Sequence, residues 1–342
     1  MNKTELAKYI LDINSDFSKC LIKLQKNKYK NIFITKNNKY YGSISDGDIR
    51  RNLIKNKSLN FKNIINKKSY YLKFGSQINK IIPDYLKLIP VINKYNKIID
   101  IKVNKQDKKN FSFDAVIMAG GKGTRLRPFT LKKPKAMIKF QGKELIFHII
   151  KKINKCNPRK VFVSTKYKHD QLEKFINKNF DSKIECIKES KKLGTFGALS
   201  LLKKEIISEN VIIFNCDVIT TLNIENLINF HQRNKSDITI CATKQKLNIP
   251  YGVIGNKIGY KNDLIIEKPD FHFWVNSGIY IIKRNILDFF RFEKKIDSVT
   301  FINKLHKVKK KINYFPLYEK WIDVGTFKNI IKANKIFKKY VQ

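Results

Sequence analysis

The sequence predicts an α/β protein in two parts, a small module of two β-β-α units followed by a larger mixed sheet. In residues 31–54, two β-rich runs separated by a turn lead into a helical pattern, and a weaker strand–turn–strand echo follows in residues 88–103. After residue 113, apolar runs alternate with helical patterns. A polar, lysine-rich stretch, Asn104 to Phe113, separates the parts. We therefore expect domains at residues 1–108 and 109–342.

The charge of the chain is strongly positive, at a formal +43 over 342 residues. One interpretation is a nucleic-acid-binding protein. The other is lysine spread over solvated faces. Only 8 of the 71 basic residues are Arg, and phosphate and base readout depends largely on Arg. We therefore predict no nucleic-acid partner, although the charge helps to attract polyanionic nucleotides.

The five cysteines indicate a reducing compartment. Their number is odd and none form a C-x-x-C pair, which argues against a disulfide or zinc framework. The first ten residues, MNKTELAKYI, do not form a signal peptide, and no apolar run approaches the roughly 18 residues of a membrane span. We expect a cytoplasmic protein without a membrane partner.

In the first part, the stretch GSISDGDIRR, Gly42 to Arg51, places Ser45 and Asp48 where a strand ends and a helix begins. It resembles a tandem cystathionine-β-synthase-type (CBS) module, although the second copy lacks the Ser/Thr-x-x-Asp end. The resemblance implies that Ser45 and Asp48 hold the ribose of an adenine nucleotide, with a helix N-terminus facing its phosphate. Alternatively, Ser45 and Asp46 only cap the helix, and the module serves dimerisation or packing. We expect a homo-oligomer.

The second part begins with an apolar run that enters a glycine-rich turn, AVIMAGGKGTRLRPFT, Ala115 to Thr130. Ligands of α/β sheets bind beyond the carboxyl ends of strands, and glycines there let backbone N–H groups approach phosphates closely. The turn matches neither the ATPase phosphate loop nor the dinucleotide-binding pattern. It therefore predicts a phosphate-binding turn of another kind.

Further motifs follow this turn in a fixed order. They are KPKAM (133–137), LGTFGAL (193–199), NCD (215–217), YGVI (251–254), EKP (267–269), VNSGIY (275–280) and WIDVGT (321–326). Together they resemble the sugar-1-phosphate nucleotidyltransferases over residues 113–335. The resemblance implies a Rossmann-like, GT-A-like mixed sheet. It also implies in-line attack of a sugar 1-phosphate oxygen on the α-phosphorus of a nucleoside triphosphate (NTP), which releases pyrophosphate. Such catalysis is mostly alignment and charge neutralisation, without a covalent intermediate.

The resemblance assigns roles to three basic residues. Arg125 contacts the β- and γ-phosphates, Lys135 bridges the nucleotide and sugar phosphates, and Lys268 holds the sugar phosphate. The alternative for each is an exposed basic residue in a lysine-rich chain. The nucleotide-binding positions that it implies are Ala119, Gly120, Gly121, Gly123, Thr124, Glu189 and Gly194.

The resemblance also implies a metal site at Asp217 and Asp323. Asp217 follows the apolar run VIIFN, at a strand's carboxyl end, and Asp323 lies in WIDVGT. In the family these two carboxylates hold Mg²⁺, whose remaining ligands are phosphates and water. The alternative for Asp323 is a cap on the turn before Gly325.

The nucleobase is indicated by Glu189, five residues before Gly194. A carboxylate accepts from both the N1–H and the exocyclic amine of guanine, so we expect GTP. UTP, dTTP and CTP remain alternative nucleotides. The alternative interpretation of Glu189 is an exposed glutamate without a role in binding. The resemblance places Gly194, Glu267 and Asn276 at the hexose but leaves a mannose-, heptose- or glucosamine-type 1-phosphate open.

Three positions depart from the family pattern. Phe196 and Cys216 stand where small residues are usual, and Glu144 stands where Pro is frequent. Phe196 is expected to narrow the pocket near the sugar or base. The combination of parts resembles CBS-linked guanylyltransferases acting on glucosamine, mannose or heptose 1-phosphate, which would supply GDP-sugars for surface glycans or nonulosonic acids. A hypothesis of a different class, a non-catalytic nucleotide-sensing subunit, is disfavoured because all five basic and acidic positions are present.

Overall fold

The computed structural model describes residues 3–55, 61–75, 86–104, 112–254, 264–290 and 295–337. The chain divides into two compact units, Met1–Asn110 and Phe111–Gln342. Each has its own sheets and apolar clusters. None of the helices in the described ranges combines the length and apolar character needed to cross a membrane.

The first unit contains two three-stranded sheets of one design. In each, the first strand runs parallel to the second, and the second antiparallel to the third. The strands are β1 (Ile10–Asp12), β2 (Asn31–Lys36), β3 (Lys39–Ser45), β4 (Leu72–Lys73), β5 (Leu88–Ile92) and β6 (Ile98–Val103). The helices are α1 (Lys3–Ala7), α2 (Phe17–Lys26), α3 (Asp46–Ile54) and α4 (Phe61–Ile64). Both predicted strand–turn–strand pairs are confirmed, as β2–β3 and β5–β6.

The β2–β3 turn is explained by its two residues. Asn37 and Asn38 both have left-handed backbones, with φ of 50° and 59°, as a two-residue hairpin turn requires and asparagine tolerates. In α3, Ile49 and Leu53 are buried but Ile54 is 51% exposed. The apolar face of this helix is therefore narrower than its sequence suggests.

The second unit is built on a mixed seven-stranded sheet in the order β11-β10-β7-β12-β17-β14-β18. Its strands are β7 (Phe113–Met118), β10 (Lys160–Thr165), β11 (Ile184–Lys188), β12 (Asn210–Asn215), β14 (Ile238–Asn248), β17 (Asp270–Lys283) and β18 (Ile312–Leu317). The helices are α5 (Phe129–Lys132), α6 (Leu145–Asn154), α7 (His169–Asn179), α8 (Ile224–Arg233), α9 (Ser298–Lys307) and α10 (Phe327–Ile336). Strands β11, β10, β7 and β12 are parallel, and β17 is antiparallel to β12.

The core lies on both faces of this sheet, which is why β7 is a continuous apolar run. Successive side chains point to opposite faces. Ala115 and Ile117 accordingly join one apolar cluster with side chains of α6, α7 and α8, whereas Val116 joins another that includes Phe196 and Phe301. The predicted strand ending before the glycine-rich turn is confirmed, and its central position directs the turn to the carboxyl edge of the sheet.

Among its described residues, the unit also has three short strand pairs: β8 (Lys139–Phe140) with β9 (Lys143–Glu144), β13 (Val218–Thr220) with β19 (Trp321–Asp323), and β15 (Val253–Ile254) with β16 (Ile265–Ile266). The β13–β19 pair extends from the end of β12. It is backed by a third apolar cluster that includes Phe140, Ile219 and Ile322. This apolar cluster supports Asp217, which directly precedes β13, and Asp323, which ends β19.

Candidate active site

The glycine-rich turn packs against Lys135 of the KPKAM segment. Gly123, with φ of 62°, begins a 3-10 helix at Thr124–Leu126. A Cβ on Gly123 would lie 2.9 Å from Cβ of Lys135, and the Thr130 hydroxyl donates to the Gly123 carbonyl oxygen at 2.9 Å. Only glycine fits both the backbone conformation and the close approach. The turn and Lys135 are thereby packed together.

Lys135 forms an ion pair with Asp217, and both side chains are nearly buried. Burial alone would lower the pKa of Lys135, but the carboxylate of Asp217 and, to a lesser degree, that of Asp323 hold it above its ordinary value. The lysine is therefore kept protonated in a place where desolvation favours the neutral amine. A cation held in this way is ready to meet a phosphate.

Asp323 lies beside Asp217 because β13 and β19 are paired. Val218 is opposite Asp323, and the Val324 N–H donates to the Asp217 carbonyl oxygen at 2.8 Å. Burial, and then the negative charge of Asp217, raise the pKa of Asp323 above its ordinary value. Two carboxylates that repel each other in a half-buried place form an electrostatically strained pair that a cation would relieve.

The guanidinium group of Arg125 lies against Gly325, close to Asp323. A Cβ on Gly325 would lie 2.8 Å from Nη2 of Arg125 and 2.7 Å from Oδ1 of Asp323. The Gly325 N–H also donates to that Oδ1 at 2.6 Å. Asp323 therefore does close the turn before Gly325, as the alternative interpretation held, while facing Asp217 and Arg125 as well. The glycine of WIDVGT is required by this crowding.

The metal-binding capacity of the site rests on these two carboxylates. Within the described ranges, no group of three or more His, Cys, Asp or Glu side chains could hold an ion. Asp217 and Asp323 supply hard oxygen ligands but few of them, which suits Mg²⁺ because this ion keeps waters and takes substrate phosphates. The residues present fit such an ion.

Glu189 is buried against the glycine-rich turn rather than exposed, which excludes the surface-glutamate alternative. The residue is 8% exposed, and a Cβ on Gly120 would lie 2.6 Å from its Oε1. The Ser164 hydroxyl donates to Oε1 at 2.5 Å, and the Leu193 N–H approaches Oε2 at 3.5 Å. The carboxylate is thus held at the edge of the sheet where the turn passes.

The residues predicted to meet the sugar and its phosphate lie in three separate places: on β17, between β16 and β17, and at Gly194. Asn276, in β17, accepts from the Gly278 N–H at 3.0 Å and donates to the Tyr280 hydroxyl at 2.6 Å. Glu267 and Lys268 are exposed and lie 3.6 Å apart. Among the described residues, neither contacts the Lys135–Asp217–Asp323 group. Gly194, with φ of 83°, packs against the Ile296 carbonyl oxygen, 2.6 Å from where a Cβ would be.

The expectation that Phe196 narrows the pocket is wrong. Its side chain is fully buried, and its ring lies edge-on to Tyr280 at 4.9 Å and near Phe301 at 6.0 Å and Phe290 at 6.4 Å. The ring lies in an apolar cluster on one face of the sheet, and Phe196 directly precedes the 3-10 helix Gly197–Leu202.

The other two residues that depart from the family pattern are Cys216 and Glu144. Cys216 is buried, and burial followed by the Asp217 charge raises the pKa of its thiol to about 12. The thiol is therefore neutral beside the Lys135–Asp217 pair. Glu144 ends β9 and is the residue before α6.

In the first unit, Ser45 and Asp48 bind each other. Ser45 accepts from the Asp48 N–H, and Asp48 accepts from the Ser45 N–H at 2.8 Å, forming a capping box on α3. Arg51 also contacts the Asp48 carboxylate. The capping alternative is therefore realised by Ser45 with Asp48, and Asp46 instead pairs with the buried Arg50 at 2.8 Å.

Three polar side chains that support the site were given no role by the sequence patterns. Ser164 bonds Glu189, Tyr280 bonds Asn276, and Asn329 donates to the Asp323 carbonyl oxygen at 2.7 Å. Ser164 carries one sequence signal, since it stands near the end of the apolar run VFVST. Tyr280 ends the VNSGIY motif but has no role assigned to it there, and the spacing of Asn329 from Asp323 does not by itself indicate a contact.

The fold and this arrangement of charges define a class. The profile of the family described as Nucleotidyl transferase matches residues 114–339. The chain belongs to this family.

Two relatives from fungi are similar in sequence. A mannose-1-phosphate guanyltransferase of Gibberella zeae is 30% identical over 239 residues, covering 65% of this chain and 63% of that protein. Mannose-1-phosphate guanyltransferase 2 of Candida glabrata is 30% identical over 233 residues, covering 65% of this chain and 64% of the relative. The chain thus spans less than two thirds of the length of these relatives.

Solved structures have the same fold. HddC from Yersinia pseudotuberculosis is 26% identical with a TM-score of 0.53, over 66% of this chain and 99% of HddC. HddC complexed with GMP-PN gives a TM-score of 0.52 at the same identity. The inositol-1-phosphate CTP transferase from T. maritima, 16% identical with a TM-score of 0.52 over 67% of this chain and 96% of that one, shows the fold alone.

Proposed function

We propose that the protein transfers a guanylyl group from GTP to a hexose 1-phosphate, forming a GDP-sugar and pyrophosphate. The observation that carries the proposal is the meeting of Arg125 and Lys135 with Asp217 and Asp323 beyond β7 and β12. Two polyanions must approach each other in this reaction. The two basic residues would neutralise phosphate charge directly, and the two carboxylates would do so by holding Mg²⁺. The relatives named mannose-1-phosphate guanyltransferase support the choice of reaction.

The reaction needs no nucleophilic side chain. An oxygen of the sugar 1-phosphate forms a bond to the α-phosphorus of GTP while the bond from that phosphorus to the pyrophosphate oxygen breaks. Arg125 neutralises the leaving pyrophosphate, and Lys135 holds the two reacting phosphates together. Asp217 and Asp323 would hold Mg²⁺, which when bound neutralises phosphate charge. Lys268 and Glu267, with Asn276 and Gly194, bind the sugar phosphate and hexose.

The choice of GTP is supported by Glu189. Its carboxylate is buried near Gly120 with a hydroxyl and an amide as partners, and a carboxylate is a suitable acceptor for the two adjacent donors of guanine. A crystal structure of HddC with GMP-PN, from a protein 26% identical, also favours GTP. UTP, dTTP and CTP are the alternatives.

We further propose a CBS-type regulatory role for the first unit. The support is the repetition of one strand arrangement in its two sheets. An adenine nucleotide bound there would have to displace Arg51 from the Asp48 carboxylate. In this proposal the protein is a cytoplasmic homo-oligomer supplying GDP-sugars for surface glycans or nonulosonic acids.

The test is pyrophosphate release from the full chain with Mg²⁺, each of five NTPs (GTP, UTP, CTP, dTTP and ATP), and a panel of hexose 1-phosphates. Release with GTP and one sugar is expected. Release with another NTP alone contradicts the guanine assignment but keeps the reaction. NTP binding without release, across the panel and with AMP or ATP added, overturns the proposed reaction in favour of a nucleotide-sensing subunit.

A further inference from the structure

The Glu189 carboxylate is buried in a chain that is rich in lysine, yet its partners among the described residues are not cations. They are the hydroxyl of Ser164 and the N–H of Leu193. A buried carboxylate without an adequate set of donors is costly. The Ser164 hydroxyl is the closer of the two donors and is therefore the main constraint on the carboxylate's orientation.

Ser164 is itself tightly placed. It lies near the end of β10, is 1% exposed, and is opposite Met118 of β7. Its carbonyl oxygen accepts from the Ala119 N–H at 2.8 Å, at the start of the glycine-rich turn. Its neighbour Thr165 accepts from the Glu189 N–H at 2.7 Å. Ser164 therefore joins the turn, through its backbone, to the carboxylate, through its hydroxyl.

The remaining acceptor capacity of Glu189 can be counted. An ionised carboxylate has two oxygens and about four acceptor positions. Ser164 occupies one on Oε1, and the Leu193 N–H occupies one on Oε2. About one position stays open on each oxygen. Two open acceptors side by side match a ligand with two adjacent donors, such as the N1–H and exocyclic amine of guanine.

Gly120 sets the distance between this carboxylate and the turn. A Cβ there would lie 2.6 Å from Oε1 and 3.3 Å from the carboxyl carbon of Glu189. The turn can pass over the carboxylate only because this residue has no side chain. A rotation of the carboxylate would therefore move its open acceptors relative to a nucleotide held by the turn.

We propose that Ser164 is a positioning residue for base selection: its hydroxyl orients the Glu189 carboxylate so that both oxygens face the two donors of guanine. This inference rests on the proposed use of GTP. It assigns Ser164 no contact with substrate. Its effect is therefore on discrimination between bases rather than on the transfer step.

The test compares GTP with inosine triphosphate (ITP), which keeps N1–H but lacks the exocyclic amine. In the wild type, kcat/KM with GTP is expected to exceed that with ITP by about tenfold, the size of a hydrogen bond to a charged group. Ser164→Ala is expected to bring this ratio close to one, mostly through KM for GTP. Ser164→Cys keeps a weak donor and is expected to give a ratio between the two.

Ser236→Ala is the matched control. Ser236 is also fully buried and accepts a hydrogen bond, from Asn313 at 2.8 Å. Ser236 lies just before β14. The first residue of β14 pairs with the last part of β17, which in turn pairs with the first residues of β12. Ser236 is therefore at the end of the sheet opposite to the carboxyl ends of β7 and β12, where the candidate site lies. Its loss is expected to leave the GTP/ITP ratio unchanged.

Each result has one meaning. If Ser164→Ala and Ser164→Cys lower kcat/KM equally for GTP and ITP, Ser164 is only structural and the inference is wrong, while the proposed function stands. If one variant does not fold, the ratio from the other decides. If the wild type itself does not prefer GTP to ITP, the guanine assignment fails and the inference fails with it.

Discussion

Asp217 and Asp323 adjoin each other across the paired strands β13 and β19, with Lys135 bound to the first and Arg125 close to the second. The pairing brings two negative charges together in a half-buried place, and burial with the charge of Asp217 raises the pKa of Asp323. Each carboxylate is therefore stabilised by a basic residue that the proposed reaction also needs.

Asp217→Asn is expected to lower kcat by at least about a hundredfold while the chain stays folded. The substitution removes one of the two carboxylates that would hold Mg²⁺ and leaves Lys135 without its counter-ion, and electrostatic groups of this kind contribute factors of about this size. Steady-state pyrophosphate release measures the effect, and circular dichroism checks the fold. Asp288→Asn, which breaks the exposed ion pair with Lys203, is the control. An unchanged rate for Asp217→Asn would remove this residue from the proposed metal site.

Glu189→Gln is expected to reduce the preference for GTP over other NTPs by about tenfold or more, because a neutral amide cannot accept both donors of guanine from one side. The measurement is kcat/KM for GTP, UTP and dTTP with one sugar 1-phosphate. Glu185→Gln is the matched control, since Glu185 lies on β11, the strand that ends just before Glu189, and pairs with Lys160. Equal nucleotide preference in Glu189→Gln and wild type would sink the base-reading argument.

Gly325→Ala is expected to lower kcat by about tenfold or more with little change in the free energy of unfolding. The added Cβ would lie within 3 Å of Asp323 Oδ1 and Arg125 Nη2, so these two side chains must move apart, and small displacements of catalytic groups are costly in rate. Turnover and a urea unfolding curve on the same preparation measure both effects. Loss of stability with full activity in the folded fraction would contradict this.

His231 is expected to make the protein less stable as the pH falls from about 6.5 to 4. The ring is buried in α8, and burial, followed by the nearby charge of Lys283, lowers its pKa from 6.5 to about 4. Because the folded pKa is depressed, the unfolded chain takes up the proton first. The contribution is therefore complete above pH 6.5 and is lost as the pH falls to the folded value.

The measurement for His231 is the free energy of unfolding of the full chain against pH. His231→Asn removes the titrating group and is expected to flatten the curve by at most about 3 kcal/mol between pH 6.5 and 4. His306→Asn, in the last turn of α9, is measured beside it as the control substitution. A slope equal in wild type and His231→Asn would show that other groups carry the pH dependence.

Local patterns predicted much of the fold and of the candidate site. The apolar run before Gly120 indicated β7, and the run before Asp217 indicated β12. Both predictions are correct because a strand buried on two faces must be apolar throughout, and because a turn at its end needs glycine or a polar residue. The boundary of α3 was readable from Ser45 for the same local reason.

The amino-acid sequence alone thus determined the strands, the glycine-rich turn and the residue types available for phosphate chemistry, since these depend on neighbours along the chain. Tertiary structure decided that Phe196 turns into the core and that Ser164 holds Glu189, and it supplies the strand pairing that brings Asp323 beside Asp217, which the family resemblance had implied. The Ser164–Glu189 contact arises from the pairing of β10 with β11, and the Asp217–Asp323 contact from the pairing of β13 with β19. Such pairings join residues distant in the chain, and no local pattern encodes them.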